Sequence, residues 1–287
     1  MYPVIKSHLK NDSASGGAYL LVLVVMITGV SLVSLVQHAQ IQRTFALRMR
    51  RADVETEAAM FLGLQSALML VSEHAVAFPY DPFPPETDPE GFAADSGATI
   101  RVKLTDAQDR FDVQWLRNQG VPRESFGHLF RAAGLRGNLL ALDAWAMDSK
   151  PLATVEEWAV HVPEAAEWLA GPLRHDLTVL PVPATGVTPL NVNAVDADRF
   201  VRMMGEGLRG WSETVLQMRD QQPLQDLGSV LALLPGPVGS ALRPYLDVRS
   251  SYLEVWLEVE FDSVVKEGWA LIQRAADGKV EVVECRW

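Results

Sequence analysis

Nineteen consecutive residues without a charge, Ala18 to Val36 (AYLLVLVVMITGVSLVSLV), constrain this chain more than any other feature. At about 1.5 Å per residue, a helix of that length crosses a hydrocarbon layer of roughly 30 Å. The run is too long for the apolar region of a secretory signal, usually about 7–15 residues, and no small-x-small cleavage site followed by loop-like sequence comes after it. From Gln37 to Ala77 there is no proline and a single glycine, Gly63, while Met60, Leu64, Ala67, Leu68 and Val71 recur at helical spacing. The spacing predicts one helix over 18–77. Its first part, 18–36, belongs in lipid, and its last turns lay an apolar stripe on a soluble domain.

Charge and motif content narrow the chemistry. The 287 residues carry 25 Lys and Arg against 36 Asp and Glu, a net charge of −11. Such a chain repels a phosphate backbone unless its cations are gathered in one place, so nucleic acid is a disfavoured partner. Cys285 is the one cysteine and cannot form an intrachain bridge, and the six histidines stand singly. HExxH, CxxC, GxSxG and Walker patterns are absent, so a zinc site is not expected. Gly205 to Gly210 matches GxGxxG, but a helical pattern and not a strand precedes it, which implies an interhelical turn.

Beyond the helix, residues 78–121 form a proline-rich linker or extended loop (Pro79, Pro82, Pro84, Pro85, Pro89) and the first strands. Ile100, Val102 and Leu104 alternate as in a strand, which turns near Asp106 to Asp109 into a second short strand or a helix start. Residues 122–245 read as a helical domain of two lobes built from SFGHLFRAAGL, NLLALDAWAMD, TVEEWAVHV, DADRFVRMMG and WSETVLQMRD. Trp115, Trp145, Trp158, Trp168 and Trp211 lie in or beside it as core candidates. LTVLPVPATGVTPLNVN separates the lobes, and Asn193 or Asp196 is placed to cap the helix holding Arg199 to Met204. In 246–287 the period becomes two: Leu253, Val255, Leu257, Val259 and Phe261 alternate with polar or aromatic residues, a second strand runs over 269–274, and Asp277-Gly278 turns into a third over 280–284. The fold class is α+β, a long N-terminal helix on an antiparallel sheet with a helical domain inserted between strands.

The leader MYPVIKSHLKNDSASGG is polar and weakly basic, ends in two glycines and is followed at once by the apolar run. In this it resembles the prepilin-peptidase substrates, the pilins and pseudopilins. The resemblance implies cleavage between Gly17 and Ala18, removal of residues 1–17, and N-methylation of Ala18. At the fifth mature position, where most of that family has glutamate, stands Val22. The missing glutamate, Leu190-Asn191-Val192-Asn193 and Ser250-Ser251-Tyr252 leading into a strand resemble minor pseudopilin K of type II secretion, the general secretion pathway protein K family. In a stretch of that family running D-x-x-G-x-x-N-x-N-x-L, this chain has Asp106, Arg110, Asp112, Gln114 and Leu116, so the acidic residue matches while both asparagines are replaced.

The resemblance implies a pilin-like fold with a helical insertion of the SAM-like or helix-hairpin-helix-like kind. It implies a place at the pseudopilus tip and partners in minor pseudopilins I and J, the major pseudopilin and prepilin peptidase. It also implies a single-pass inner-membrane protein with its globular domain in the periplasm. Charge bias alone does not give that topology, because Lys6 and Lys10 before the span are outnumbered by Arg43, Arg48, Arg50 and Arg51 after it. No cofactor is expected except calcium, which some members hold; the oxygen-ligand candidates are Asp106, Asp109, Asp112, Asp143 and Asp148. The capping and turn roles common to aspartate compete with that assignment.

Two other readings stand beside this one. Residues 190–239 also resemble paired helix-hairpin-helix DNA-binding modules of competence proteins, with hairpins at Gly205–Gly210 and Leu234-Pro235-Gly236, which would make the chain a membrane-anchored DNA-uptake protein. Within 190–245, five arginines face six carboxylates, and Pro237 removes a backbone donor that a phosphate needs. The third reading is a minor pilin of type IV pili presenting an adhesive domain.

Overall fold

The computed structural model describes residues 12–77, 80, 92–117, 152–181, 188–275 and 278–287. Two compact units divide the chain, 1–55 and 56–287. The first contributes helix only, the N-terminal part of helix α1 (Asp12–Ala77). Every described residue from Gly17 to Arg51 is exposed, so this stretch buries no face on protein. It is long and apolar enough to cross a membrane. The helix begins six residues ahead of Ala18, within the segment expected to be leader.

In the second unit, α1 lies on a five-stranded sheet. Strands β1 (Phe92–Ala93), β2 (Thr99–Asp106), β7 (Tyr252–Phe261), β8 (Val264–Arg274) and β9 (Val280–Arg286) follow one another in that spatial order. All neighbours are antiparallel. The expected stripe is the one that packs: Met60, Leu64, Ala67 and Val71 are buried with Ile100, Leu104, Val255, Leu257, Val259 and Ile272, and Leu68 packs at the margin. Gly63 is what lets the helix come close. A Cβ there would stand 2.9 Å from Ile100 Cγ2 and 3.0 Å from Leu257 Cδ2. From the sheet side, Gly268 makes room for Met60.

Strand β8 starts five residues before the position its hydrophobic pattern suggested. Its hairpin with β7 turns through Asp262 and Ser263, with φ of 47° and 67°. Left-handed pairs of this kind usually carry Asn or Gly, so the sequence offered no turn signal. Gly278, with φ of 83°, stands in the next hairpin, while Asp277 lies outside the described residues.

Between β2 and β7 comes the insertion. After Asp106 the chain makes a 3-10 turn (Ala107–Asp109) and enters β3 (Phe111–Asp112), the short second strand of the two expected alternatives, followed by a second 3-10 turn (Val113–Arg117). Helices α2 (Val155–His161) and α3 (Pro163–Leu169) and a 3-10 turn (Pro172–Asp176) lead to β4 (Leu177–Thr178), which pairs in parallel with β3. Strand β5 (Leu190–Asn191) pairs in parallel with β6 (Leu246–Asp247). Four helices stand between them: α4 (Ala197–Met204), α5 (Arg209–Gln221), α6 (Leu227–Leu231) and α7 (Gly236–Leu242).

One apolar cluster gathers Phe111, Trp115, Trp158, Leu177, Leu190, Val192, Phe200, Trp211, Val230 and Tyr245, taking residues from both sides of the 177–193 separator. Trp145 and the segments SFGHLFRAAGL and NLLALDAWAMD lie outside the described residues, as does the side chain of Trp168.

Candidate functional site

The most specific arrangement in the molecule is the joint between sheet and insertion, and Leu190 to Asn193 is its centre. Leu190 and Val192 point into the apolar cluster, whereas Asn191 and Asn193 are equally buried and polar. A buried amide without partners costs on the order of 1–3 kcal/mol, so each group should be satisfied. Asn191 Nδ2 donates to Asp106 Oδ2 (2.9 Å) and to Ser250 Oγ (2.6 Å). The Ser250 hydroxyl donates to the same carboxylate, and the Gln108 backbone N–H donates to Asp106 Oδ1 (2.8 Å). Asn193 Nδ2 lies 3.0, 2.9 and 2.9 Å from the carbonyl oxygens of Tyr80, Leu224 and Val248. Its Oδ1 accepts from Leu224 N–H (2.9 Å). One side chain thereby ties together the segment after α1, the α5–α6 connection and the approach to β7.

Gln108 completes the seam by donating from Nε2 to Pro189 O (2.5 Å) and accepting from the backbone N–H groups of Ser251 and Tyr252. Trp115 Nε1 donates to Thr188 O (2.7 Å) nearby. Burial pushes the Asp106 carboxyl up to about 6, although its bonds to Ser250, Asn191 and Gln108 N–H pull the other way. Asp112, buried and bonded to the backbone N–H groups of Gln114 and Leu180, is pushed by burial to about 8.

A line of ion pairs runs across the same joint. Arg110 holds Glu254 of β7 at 2.7 Å and Asp109 at 3.1 Å. Arg199 of α4 reaches Asp109 (3.3 Å) and Asp176 (2.8 Å), and Arg202 also meets Asp176 (3.1 Å). Burial still raises the Asp109 pKa, against the pull of Arg110 and Arg199.

These contacts place the expected residues. Asp106 and Asp112 cap the turns that follow them. Asp109 is engaged by two guanidiniums, and Asp143 and Asp148 lie outside the described residues. Asp106, Asp109, Asp196 and Asp220 line one open cleft, but Arg199 and Arg219 line it too. Among the described residues no group of three or more Asp, Glu, His or Cys side chains is placed to hold a metal ion. Gly17, Ala18 and Val22 all lie within α1 and are exposed.

The two hairpins have the connections expected of them. Asp196 caps α4, its Oδ1 accepting from Arg199 N–H (3.0 Å), and Gly205, with φ of 76°, ends that helix before α5. Asn193, the other cap candidate, is spent on the joint. Four of the five arginines in 190–245 are engaged: Arg199 and Arg202 as above, Arg209 with Glu206 (2.6 Å), and Arg219 on the carbonyl of Val195 (2.6 Å). The joint itself went unseen in the sequence, where Asn191 and Asn193 read as a separator and Gln108 as part of a turn. Its visible trace was the alternation of amides with buried Leu190 and Val192.

Comparison with known proteins gives a likeness in structure. No protein-family model and no curated protein matches the sequence. Among solved structures, a chain of the GspK-GspI-GspJ complex from the enterotoxigenic Escherichia coli type 2 secretion system superposes with a TM-score of 0.57 at 17% identity. The match covers 82% of this chain and 98% of that one. The protein therefore has the α+β fold of a chain of that secretion complex, with α1 against the sheet and the helical insertion between β2 and β7.

Proposed function

We propose that this protein is a minor pseudopilin of the K type, a non-enzymatic assembly subunit of a type II secretion pseudopilus. The observation that carries the reading is the match over 98% of the secretion-complex chain and 82% of this one. Supporting it is an apolar N-terminal helix, the one such helix among the described residues, that fits a one-pass membrane anchor. In this reading prepilin peptidase cuts between Gly17 and Ala18, the anchor lies in the inner membrane, and the globular part is periplasmic.

The subunit joins minor pseudopilins I and J at the fibre tip and starts assembly of the major pseudopilin. Val22 offers no carboxylate to the α-ammonium of a subunit above it, a charge pair that apolar surroundings would otherwise demand be complete. The insertion, held to the sheet at Asn191, is the part that prevents another subunit from stacking on top.

Co-expression of the full chain with minor pseudopilins I and J, followed by extraction in detergent, tests the reading. A stoichiometric ternary complex is expected. Absence of any complex with either partner overturns it.

A further inference from the structure

The sheet ends in an edge whose apolar face runs out uncovered. Strand β9 pairs with β8 on one side, and among the described residues no strand pairs with its other side. Ala270 and Ile272, which face α1, stand opposite Cys285 and Val282, whereas Trp269, Leu271 and Gln273 stand opposite Arg286, Glu284 and Glu281. Val283 is the extra residue at the irregularity between Leu271 and Ile272. Strand β9 thus has an apolar side toward α1 (Val280, Val282, Cys285, then Trp287) and a charged side away from it.

The apolar side is a continuation of the α1–sheet core, yet Val282 is 38% exposed and Trp287 42%. Phe61 on the flank of α1, 56% exposed, meets the Trp287 ring edge-on at 5.2 Å. On the charged side Glu284 is bound by Arg286, and Glu281 makes no ion pair among the described residues.

We infer that the free edge of β9, with Phe61 and Trp287 beside it, is a docking surface for an extended segment of a different membrane-anchored subunit. That segment has apolar residues at alternate positions toward α1 and a basic residue facing Glu281. The backbone edge fits a strand, whose own N–H and C=O groups match that row. The apolar side calls for alternating apolar residues, which would extend the core over Val282, Cys285 and Phe61. Unpaired Glu281 selects a cation at the cross-strand position.

A second copy of this chain does not fit. Two antiparallel β9 strands are related by a two-fold axis normal to the sheet. The segments of α1 that lie on the two sheets would then run in opposite directions.

The inference rests on the K-type reading, and Cys285, unique in the chain, supplies the probe. The rate of Cys285 alkylation by iodoacetamide and the hydrogen exchange of the β9 amides are measured on the full chain in detergent, alone and with purified minor pseudopilins I and J. In the complex, alkylation is expected to slow at least tenfold and the amides of 281–285 to become protected. Val282→Lys, which puts a charge on the apolar side of an edge position, should weaken the complex at least tenfold, and Glu281→Lys should weaken it less.

A complex in which Cys285 and the β9 amides keep their free rates overturns the inference while leaving the K-type reading intact. Protection of Cys285 that appears in the chain alone as its concentration rises assigns the edge to a second copy and also overturns it. Failure to form any complex overturns the K-type reading, and the inference with it.

Discussion

The sheet meets its two neighbours by different means. Against α1 the contact is apolar and close, set by Gly63 over Ile100 and Leu257 and by Met60 against Gly268. Against the insertion a small apolar cluster (Ala107, Leu180, Tyr252, Leu271) is joined by a buried polar seam set by Asp106, Gln108, Asn191 and Ser250. An apolar contact is non-directional and tolerates sliding, whereas hydrogen bonds to named carbonyls admit one placement. Shape therefore dominates at the helix, and the polar seam gives the insertion its direction.

Truncating Asn193 is the most damaging way to break this contrast. Asn193→Ala leaves Leu224 N–H and the carbonyls of Tyr80, Leu224 and Val248 without their partner, and should cost about 3 kcal/mol. The loss is read from denaturant midpoints, with hydrogen exchange locating it in the insertion. Overfilling the apolar contact comes next: Gly63→Ile should cost about 2 kcal/mol by forcing α1 from the sheet, with the loss of protection centred on β2 and β7.

The pH response separates the two contacts by kind. Asp106 and Asp112 have folded pKa values raised to about 6 and about 8 from an unfolded 3.8, so between those limits the folded state holds more protons than the unfolded one. Stability therefore falls as pH rises, from about pH 4 to 6 for Asp106 and on to about 8 for Asp112, by roughly 1.4 kcal/mol per pH unit for each group while it titrates. Asp112→Asn should flatten the slope between pH 6 and 8, measured by urea unfolding at each pH; an unchanged slope would remove Asp112 from the account. The smallest expected effect is a gain. Ser263→Gly relieves a left-handed residue in the β7–β8 turn and should stabilise the sheet by about 0.5–1 kcal/mol, raising Tm without altering the pH slope.

The two contacts also differ in how much of them the sequence disclosed. Periodicity reports apolar faces, so Met60, Leu64, Ala67 and Val71 and the alternation from Leu253 to Val259 were read in advance, as were the capping role of Asp196 and the turn at Gly205. Hydrogen-bond partners far apart in the chain leave no such period. Asn191 meets Asp106 across 85 residues and Asn193 meets Tyr80 across 113, so the pattern shows Asn191 only as part of a separator and Asn193 only as a candidate cap. Asp106 and Asp112 had carboxylates suited to a cation, but what they bind, among the described residues, is backbone N–H and the groups of the joint. Strand β8 was read short because Lys266, Glu267 and Gly268 look unlike a strand until Met60 is seen to need the space over Gly268.

Native-state hydrogen exchange of the full chain in detergent, followed from pH 5 to pH 8 and corrected for intrinsic rates, tests the division between the two contacts most directly. The account predicts that the amides of Asn193, Leu224 and Val248 lose protection across this range, while those of β2 and β7 facing α1 keep theirs until global unfolding. Parallel loss of protection in both regions, or none at Asn193, Leu224 and Val248, would contradict it.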